Sequence, residues 1–267
     1  MLSTLFHTIL FQPIFNIFVG LYNVIPGHDT GIVILIITIL VRLAVYPLTS
    51  SSIKAQKSMQ EVQPKMEEIK KKYKNDQQGQ AAAMMKMYKE NKVNPFSSCL
   101  PILIQLPILI ALYMVLRKVL ASDNMAENLY SFISNPETIK PIAFGFLELA
   151  KPSVALALLA GGAQYLQAKN MMDRKAPAGA GAGAKDENMT AMMNKQMKYM
   201  MPILTVVIGV TLPAGLTLYW FLSTGLTWAQ QLFLGREKKS ETEVVSDKNE
   251  NKVLDSSDVI EGEVEDK

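Results

Sequence analysis

Cysteine is almost absent from this sequence, which has one, Cys99, among 267 residues. A single cysteine cannot form an intramolecular disulfide, and it cannot assemble a cysteine-based zinc site. Histidine is nearly as scarce, because only His7 and His28 occur. No carboxylate lies in the long apolar segments, and no glycine-rich phosphate loop follows a strand pattern. We therefore expect a protein that is not an enzyme and that holds no metal or other cofactor.

Lysine and arginine are missing from residues 1–30. A secretory signal would carry a basic region there, and a lipoprotein signal would carry a cysteine. The segment also lacks the arginine-rich and serine-rich character of an organelle transit peptide. These absences favour a bacterial source.

Apolar residues are concentrated in blocks with few charges or none, at residues 32–48, 99–116, 153–166, 201–212 and 214–234. Such blocks are typical of helices that satisfy their own backbone hydrogen bonds in hydrocarbon. The expected fold class is all-α, a polytopic membrane protein with five transmembrane helices at about residues 31–49, 97–116, 152–170, 198–212 and 213–234. A soluble helical bundle is the alternative, because two blocks are shorter than the roughly 18 residues of a confident span.

Charge is segregated along the chain, and the positive-inside bias converts this segregation into a topology. Residues 51–95 hold 10 lysines against 5 acidic residues, which places them in the cytoplasm and the uncharged N-terminus outside. Residues 167–199, with 6 basic and 3 acidic residues, lie in the cytoplasm again. Residues 117–151 hold 4 of each sign, which suits an outer loop. The expected protein crosses the bacterial cytoplasmic (inner) membrane several times and ends in the cytoplasm.

The remaining segments complete the predicted domain organisation. Residues 1–26 form an amphipathic helix on the outer surface, with a sixth span as the alternative. An insertion of two antiparallel helices over residues 51–93 forms a cytoplasmic hairpin within a core domain of residues 31–236. Residues 175–188 are an Ala/Gly linker, and residues 237–267, with 11 acidic residues against 5 lysines, form a disordered cytoplasmic tail.

Arg42 is the one ionisable residue in the interior of a predicted span. Insertion of an arginine near a helix centre costs about 2.5–3.5 kcal/mol, so the side chain should face water, protein or a functional cavity. Snorkelling to the cytoplasmic headgroups is the alternative. Thr38 and Tyr46 share its helix face. Partial polar stripes on the other spans include Gln105, Gln164, Gln167, Trp220, Ser223, Thr224, Thr227 and Gln231, which favours a hydrated vestibule over ordinary interhelical hydrogen bonding.

Four segments together resemble the YidC/Oxa/Alb family of membrane protein insertases, of which bacterial YidC is a member. NPFSSCLPILIQLPILIALY (Asn94–Tyr113) resembles the second core span, and TILVRLAVYPL (Thr38–Leu48) resembles the first. QEVQPKMEEIKKKYK (Gln60–Lys74) is similar to the cytoplasmic hairpin, and MPILTVVIGVTLPAGLTLYW (Met201–Trp220) is similar to the last two spans. The resemblance covers roughly residues 1–236, which leaves only the acidic tail outside it.

The resemblance implies a hydrophilic groove that opens to the cytoplasm and to lipid. It assigns groove lining and client binding to Arg42, Thr38, Gln164, Tyr219 and Trp220. It also implies an insertase and chaperone for nascent membrane proteins in the lipid bilayer. The Sec translocon, the ribosome and the signal recognition particle pathway are further candidate partners. No direct recognition of nucleic acid is expected. A lateral assembly chaperone without translocation activity and a small-solute transporter remain the alternatives.

The predicted topology can be tested with single cysteines in a Cys99→Ser background. A cysteine at position 135 should react with an impermeant thiol reagent added to intact cells, because the outer loop is exposed. A cysteine at position 70 should react only after the cells are permeabilised, since the lysine-rich hairpin faces the cytoplasm. Labelling of position 70 in intact cells would contradict the topology.

Overall fold

A computed structural model describes residues 2–94, 100–121, 125–172 and 196–234, and most of these residues are helical. Helix α1 comprises Leu2–Phe6, a π-helical turn His7–Phe11 and Gln12–Val24. The other helices are α2 (Thr30–Ala44), α3 (Tyr46–Glu61), α4 (Gln63–Lys72), α5 (Gln77–Glu90), α6 (Leu100–Ala121), α7 (Val154–Met172), α8 (Gln196–Met200, a π turn, then Met201–Gly209) and α9 (residues 214–234). Cys99, the predicted linker and the predicted tail lie outside the described residues.

The expectation of an all-α fold needs one correction, in the outer loop. Strands β1 (Ile142–Ala143) and β2 (Leu147–Glu148) pair in antiparallel register, with Ala143 opposite Leu147. The turn between them holds Phe144 and Gly145 at φ values of 56° and 79°. A right-handed helix cannot continue through two residues with positive φ, and a hairpin turn accepts them.

Length and hydropathy identify two described helices that can cross a membrane, Ser3–Val24 and Leu103–Ala121. Helices α2 and α3 qualify as a third if they form one bent span, with 66° between them. Lys198–Gly209 is apolar but shorter. The N-terminal helix is thus long enough for the sixth span that the sequence left open.

The first predicted span, residues 31–49, is bent. Helix α2 ends at Ala44, Val45 has φ −91° and ψ 3°, and α3 begins with Pro47 in its first turn. Proline has no N–H for the helical ladder, and its ring clashes with the carbonyl four residues earlier, which accounts for the break. Arg42 consequently lies in the last turn of α2, just before the bend.

The apolar core lies among α1, α2, α6 and α9. Its largest fully buried side chains include Phe15, Phe18, Ile34, Leu112, Leu116 and Tyr219. The α1 members recur three to four residues apart, so they form one face of that helix. Helix α1 therefore packs into the core through its apolar face, while Leu5, Ile9 and Ile17 on its other side stay exposed.

Polar side chains of α1 attach the outer loop to this core. Asn16 is buried; its amide donates to the carbonyl of Asn128 at 2.8 Å, and its oxygen accepts from the N–H of Tyr130 at 2.7 Å. Asn23 donates to the carbonyl of Ser134 at 2.7 Å. Since an unpaired backbone group in a buried loop is costly, these contacts let residues 125–150 pack closely on α1.

Helices α4 and α5 pack against each other as the two arms of a hairpin. The Tyr88 hydroxyl lies 3.7 Å from the sulfur of Met66, and the Lys65 ammonium donates to the Asn91 side chain at 2.8 Å. Val62 and Met87 are buried. Partial burial raises the pKa of Tyr88 above its ordinary value, which agrees with a ring that lies along the contact between the arms.

Helices α7 and α8 approach closely because glycine lies at the contact. A Cβ added at Gly161 would clash with a methyl group of Val206 and would lie 3.1 Å from the carbonyl of Pro202. A Cβ at the neighbouring Gly162 would meet nothing within 4 Å. Small residues at helix contacts let the backbones of membrane helices approach closely. Of the two adjacent glycines, Gly161 faces α8 and Gly162 faces open space.

Gly161→Ala should destabilise the protein, whereas Gly162→Ala should be neutral or stabilising. Valine is stiff in a helix, so Val206 cannot yield easily, and overpacking of this kind costs about 1–3 kcal/mol. Alanine at an open helical position gains about 0.5–1 kcal/mol over glycine. The apparent unfolding temperature of the detergent-solubilised protein measures both effects, and equal temperatures for the two variants would contradict the close packing.

Candidate functional site

Arg42 lies where α2 meets two other helices. Its Nη2 atom donates to the side-chain oxygen of Gln105 on α6 at 3.2 Å, and it also donates to the hydroxyl of Ser223 on α9. Gln105 in turn donates through its amide nitrogen to the Tyr219 hydroxyl at 3.0 Å. We call Arg42, Gln105, Tyr219 and Ser223 the Arg42 cluster; it joins three helices through polar contacts.

The positions of the cluster residues along α6 and α9 explain why their side chains meet. Gln105 stands two residues before Pro107, inside a helix that is otherwise apolar around it. Tyr219 and Ser223 are four residues apart on α9, so they share one face and turn toward the same neighbours. Both are buried, whereas Arg42 and Gln105 are half-buried. The cluster therefore runs from a buried end at α9 toward a more open side at α2 and α6.

Arg42 retains hydrogen-bonding capacity beyond these contacts. Its Nε atom is buried and has no hydrogen-bond partner among the described residues. A guanidinium has five N–H donors in a planar fork, which suits carboxylates and water. A buried donor without a partner is costly, so the site favours an acceptor beside Arg42.

The structure separates the predicted groove residues into two groups. Tyr219 belongs to the Arg42 cluster and is fully buried. Thr38 is also fully buried, and its hydroxyl donates to the Ile34 carbonyl of its own helix at 2.6 Å. Gln164 and Trp220 are half-buried, and within the described part of the chain the hydrogen bonds of the cluster include neither of them.

Two members of the cluster, Gln105 and Ser223, were visible in the sequence only as parts of polar stripes. Each stripe shows that a helix has a polar face, but it does not show which helices meet. The available signal was a glutamine within an uncharged apolar helix, because such a group needs a partner there.

The Arg42 cluster offers a positive charge together with amide and hydroxyl groups for hydrogen bonding. Among the described residues, no group of three or more His, Cys, Asp or Glu side chains could hold a metal ion. A cation with free donors can attract a carboxylate, and the amide and hydroxyl groups can hydrogen-bond to a polar segment that enters. The arrangement is therefore suited to transient binding of polar or acidic chain segments.

Comparisons with known proteins agree with the motifs. The profile of the family described as 60Kd inner membrane protein matches residues 20–242. The membrane protein insertase YidC of Fusobacterium nucleatum is 38% identical over 205 residues, which are 76% of this chain and 85% of the relative. The YidC of Clostridium tetani is 34% identical over 196 residues, or 73% and 76% of the two chains. The YidC of Pelobacter propionicus is 30% identical over 233 residues, which are 86% of this chain but 39% of that longer protein.

The family match covers well over half of the chain, and it includes α2, α6 and α9, which carry the Arg42 cluster. The resemblance inferred from four sequence segments is therefore confirmed. The chain belongs to the 60Kd inner membrane protein family, together with the bacterial proteins named membrane protein insertase YidC.

Proposed function

We propose that this protein is a membrane insertase and chaperone, which inserts and folds nascent membrane proteins through a positively charged groove. The observation that carries the proposal is the Arg42 cluster, because it holds a cation with a free donor inside the apolar part of the helical core. Insertase function in relatives with up to 38% identity supports it.

The proposed architecture has five spans, formed by the bent pair α2 and α3 and by α6, α7, α8 and α9. Helix α1 lies on the outer surface, and the hairpin of α4 and α5 lies in the cytoplasm. The groove opens to the cytoplasm and to lipid. Nascent membrane proteins and the bilayer are the proposed partners. The family suggests the Sec translocon, the ribosome and the signal recognition particle pathway as further candidates. In this proposal the protein acts alone or with the Sec translocon.

Within this groove, Arg42 attracts the acidic outer segment of a client, and Gln105 and Ser223 position its guanidinium. Gln164 and Trp220, as half-buried side chains, line the path of the client, and the buried Thr38 supports the helix that carries Arg42. Tyr219 contributes through its hydroxyl, which accepts the bond from Gln105. This division assigns client contact to the partly exposed residues and support to the buried ones.

A wet groove lowers the cost of moving a polar segment through the bilayer. A backbone polar group in hydrocarbon costs several kcal/mol when it has lost its water and found no partner. A groove that reaches partway across shortens the dry path, and the apolar client helix then gains free energy by entering lipid. Insertion therefore runs downhill without ATP.

Two other functions would use the same helices differently. A lateral assembly chaperone would hold client helices without moving any polar segment across, and a small-solute transporter would move solutes instead. Purified protein in liposomes with a single-span client separates them. An insertase moves the client's polar end into the lumen with no other protein present, and failure to do so would contradict the proposal.

Substitutions at Arg42 should affect clients according to the charge of their outer segments. Arg42→Lys should retain much of the activity, since it keeps the charge and loses only the planar donor fork. Arg42→Ala should impair insertion of clients with acidic outer segments, and Arg42→Glu should impair it further. At an effective dielectric constant of about 20, the attraction between two opposite unit charges about 4 Å apart is about 4 kcal/mol before desolvation.

The measurement is insertion efficiency in proteoliposomes at equal insertase abundance, with matched clients that differ only in two or three acidic residues. Clients with neutral outer segments should be less affected by every substitution. Equal loss for both client types would contradict electrostatic recruitment and would leave Arg42 a structural or hydrating role.

Gln105→Glu tests the same charge without touching Arg42. The substitution is nearly isosteric and places a carboxylate about where the glutamine oxygen lies, 3.2 Å from the Arg42 Nη2 atom. The resulting internal ion pair should neutralise the cation, so insertion of acidic clients should fall about as far as in Arg42→Ala. Gln78→Glu is the control, because it makes the same change at an exposed position of α5, outside the proposed groove. Wild-type insertion of acidic clients by Gln105→Glu would contradict the role of the free charge.

A further inference from the structure

A cavity of about 270 Å³ lies at the C-terminal end of α6, away from the Arg42 cluster. Its walls include Tyr113, Leu116 and Arg117 of α6, Ala150 of the outer loop, and Pro213 and Leu216 at the start of α9. We call it the outer cavity. Most of this lining is apolar, and Arg117 contributes the positive charge.

Arg117 differs from its neighbour Lys118 in having no partner among the residues that the structure describes. Lys118 lies 4.0 Å from the carboxylate of Glu127, and Lys151, beside Ala150, lies 3.0 Å from that of Glu148. Arg117 is exposed and makes no ion pair or hydrogen bond with any described residue. Adjacent residues on a helix point about 100° apart, so the two cations face different surroundings. The guanidinium of Arg117 is therefore available to an anion from outside the chain.

The position of the outer cavity along α6 indicates where that anion comes from. In the proposed topology, α6 leaves the membrane at its C-terminal end, which puts Arg117 at the level of the outer headgroups. Tyr113 is exposed about 6 Å deeper, at ~1.5 Å per residue, where aromatic residues border the hydrocarbon. Lipid phosphates lie at this depth, and a phosphate can accept both N–H groups of the guanidinium fork.

We propose that the outer cavity binds one phospholipid of the outer leaflet, with its phosphate on Arg117 and part of one acyl chain against Leu116 and Leu216. A protein helix is about 10–12 Å across and is too wide for this space. The assignment rests on the topology given under the proposed function. It adds a resident lipid that the insertion mechanism itself does not require.

Such a lipid would connect the outer ends of two helices that also carry the Arg42 cluster. Helix α6 holds Gln105, and α9 holds Tyr219 and Ser223. A phospholipid between Arg117 and Leu216 fills the space between these helices on the outer side, where no side chain does. It thereby stabilises the spacing of α6 and α9 on the side where the groove is closed.

The test is native mass spectrometry of the full-length protein released from detergent after incubation with phosphatidylglycerol. Wild type should retain one lipid, and Arg117→Gln should lower this retention about tenfold, since a charge-assisted bidentate contact is lost. Lys118→Gln, its neighbour with the same charge, should match wild type. Ala150→Leu should also lower retention, because Ala150 is exposed and a larger side chain there fills the cavity without disturbing the core.

Two further probes identify the chemistry. Diacylglycerol, which lacks the phosphate, should be retained about tenfold less than phosphatidylglycerol, and excess inorganic phosphate should not displace the lipid. Equal loss in Arg117→Gln and Lys118→Gln, or equal retention in wild type and Arg117→Gln, would overturn the proposal. Retention is measured without any client, so failed insertion in proteoliposomes would count against the insertase function and not against the lipid site.

Discussion

A guanidinium within an apolar helix must find hydrogen-bond acceptors, because neither hydrocarbon nor aliphatic side chains can solvate it. Arg42 obtains one from Gln105 and another from Ser223, and these two residues lie on different helices. This one requirement determines which faces of α2, α6 and α9 turn toward each other. Apolar packing alone would permit several arrangements of three similar helices, whereas the polar contacts select one.

Close packing on the outer side accompanies this polar interior. Asp29 illustrates it, since its carboxylate accepts from the N–H groups of Gly31 and Ile32 and also from that of Phe144. The same side chain caps α2 and attaches the outer loop to the start of that helix. Together with Asn16 it makes a packed layer beside the N-terminal end of α2, whereas Arg42 lies in the last turn of that helix.

The sequence predicted a mostly helical fold, because helical blocks depend on local composition. The five-span arrangement and the role of Arg42 stay predictions. The sequence did not predict the bend at Val45. A proline is tolerated in the first turn of a helix, but the sequence alone does not show that a new helix begins just before Pro47. It also did not predict the packing of α1 into the core. Gln105 and Ser223 stood in the polar stripes, but their pairing with Arg42 depends on which helix faces meet. The resemblance assigns groove lining to Thr38, which shares a helix face with Arg42, whereas Thr38 is fully buried.

The large sequence separations within the Arg42 cluster bear on how the protein is itself made. Arg42 is followed by its first partner 63 residues later and by its second 181 residues later. During synthesis the arginine thus enters the membrane long before Ser223 leaves the ribosome. Until the last helix arrives, the nascent chain carries an incompletely solvated charge in its first span. A newly made copy therefore presents the kind of segment that the proposed insertase function would assist.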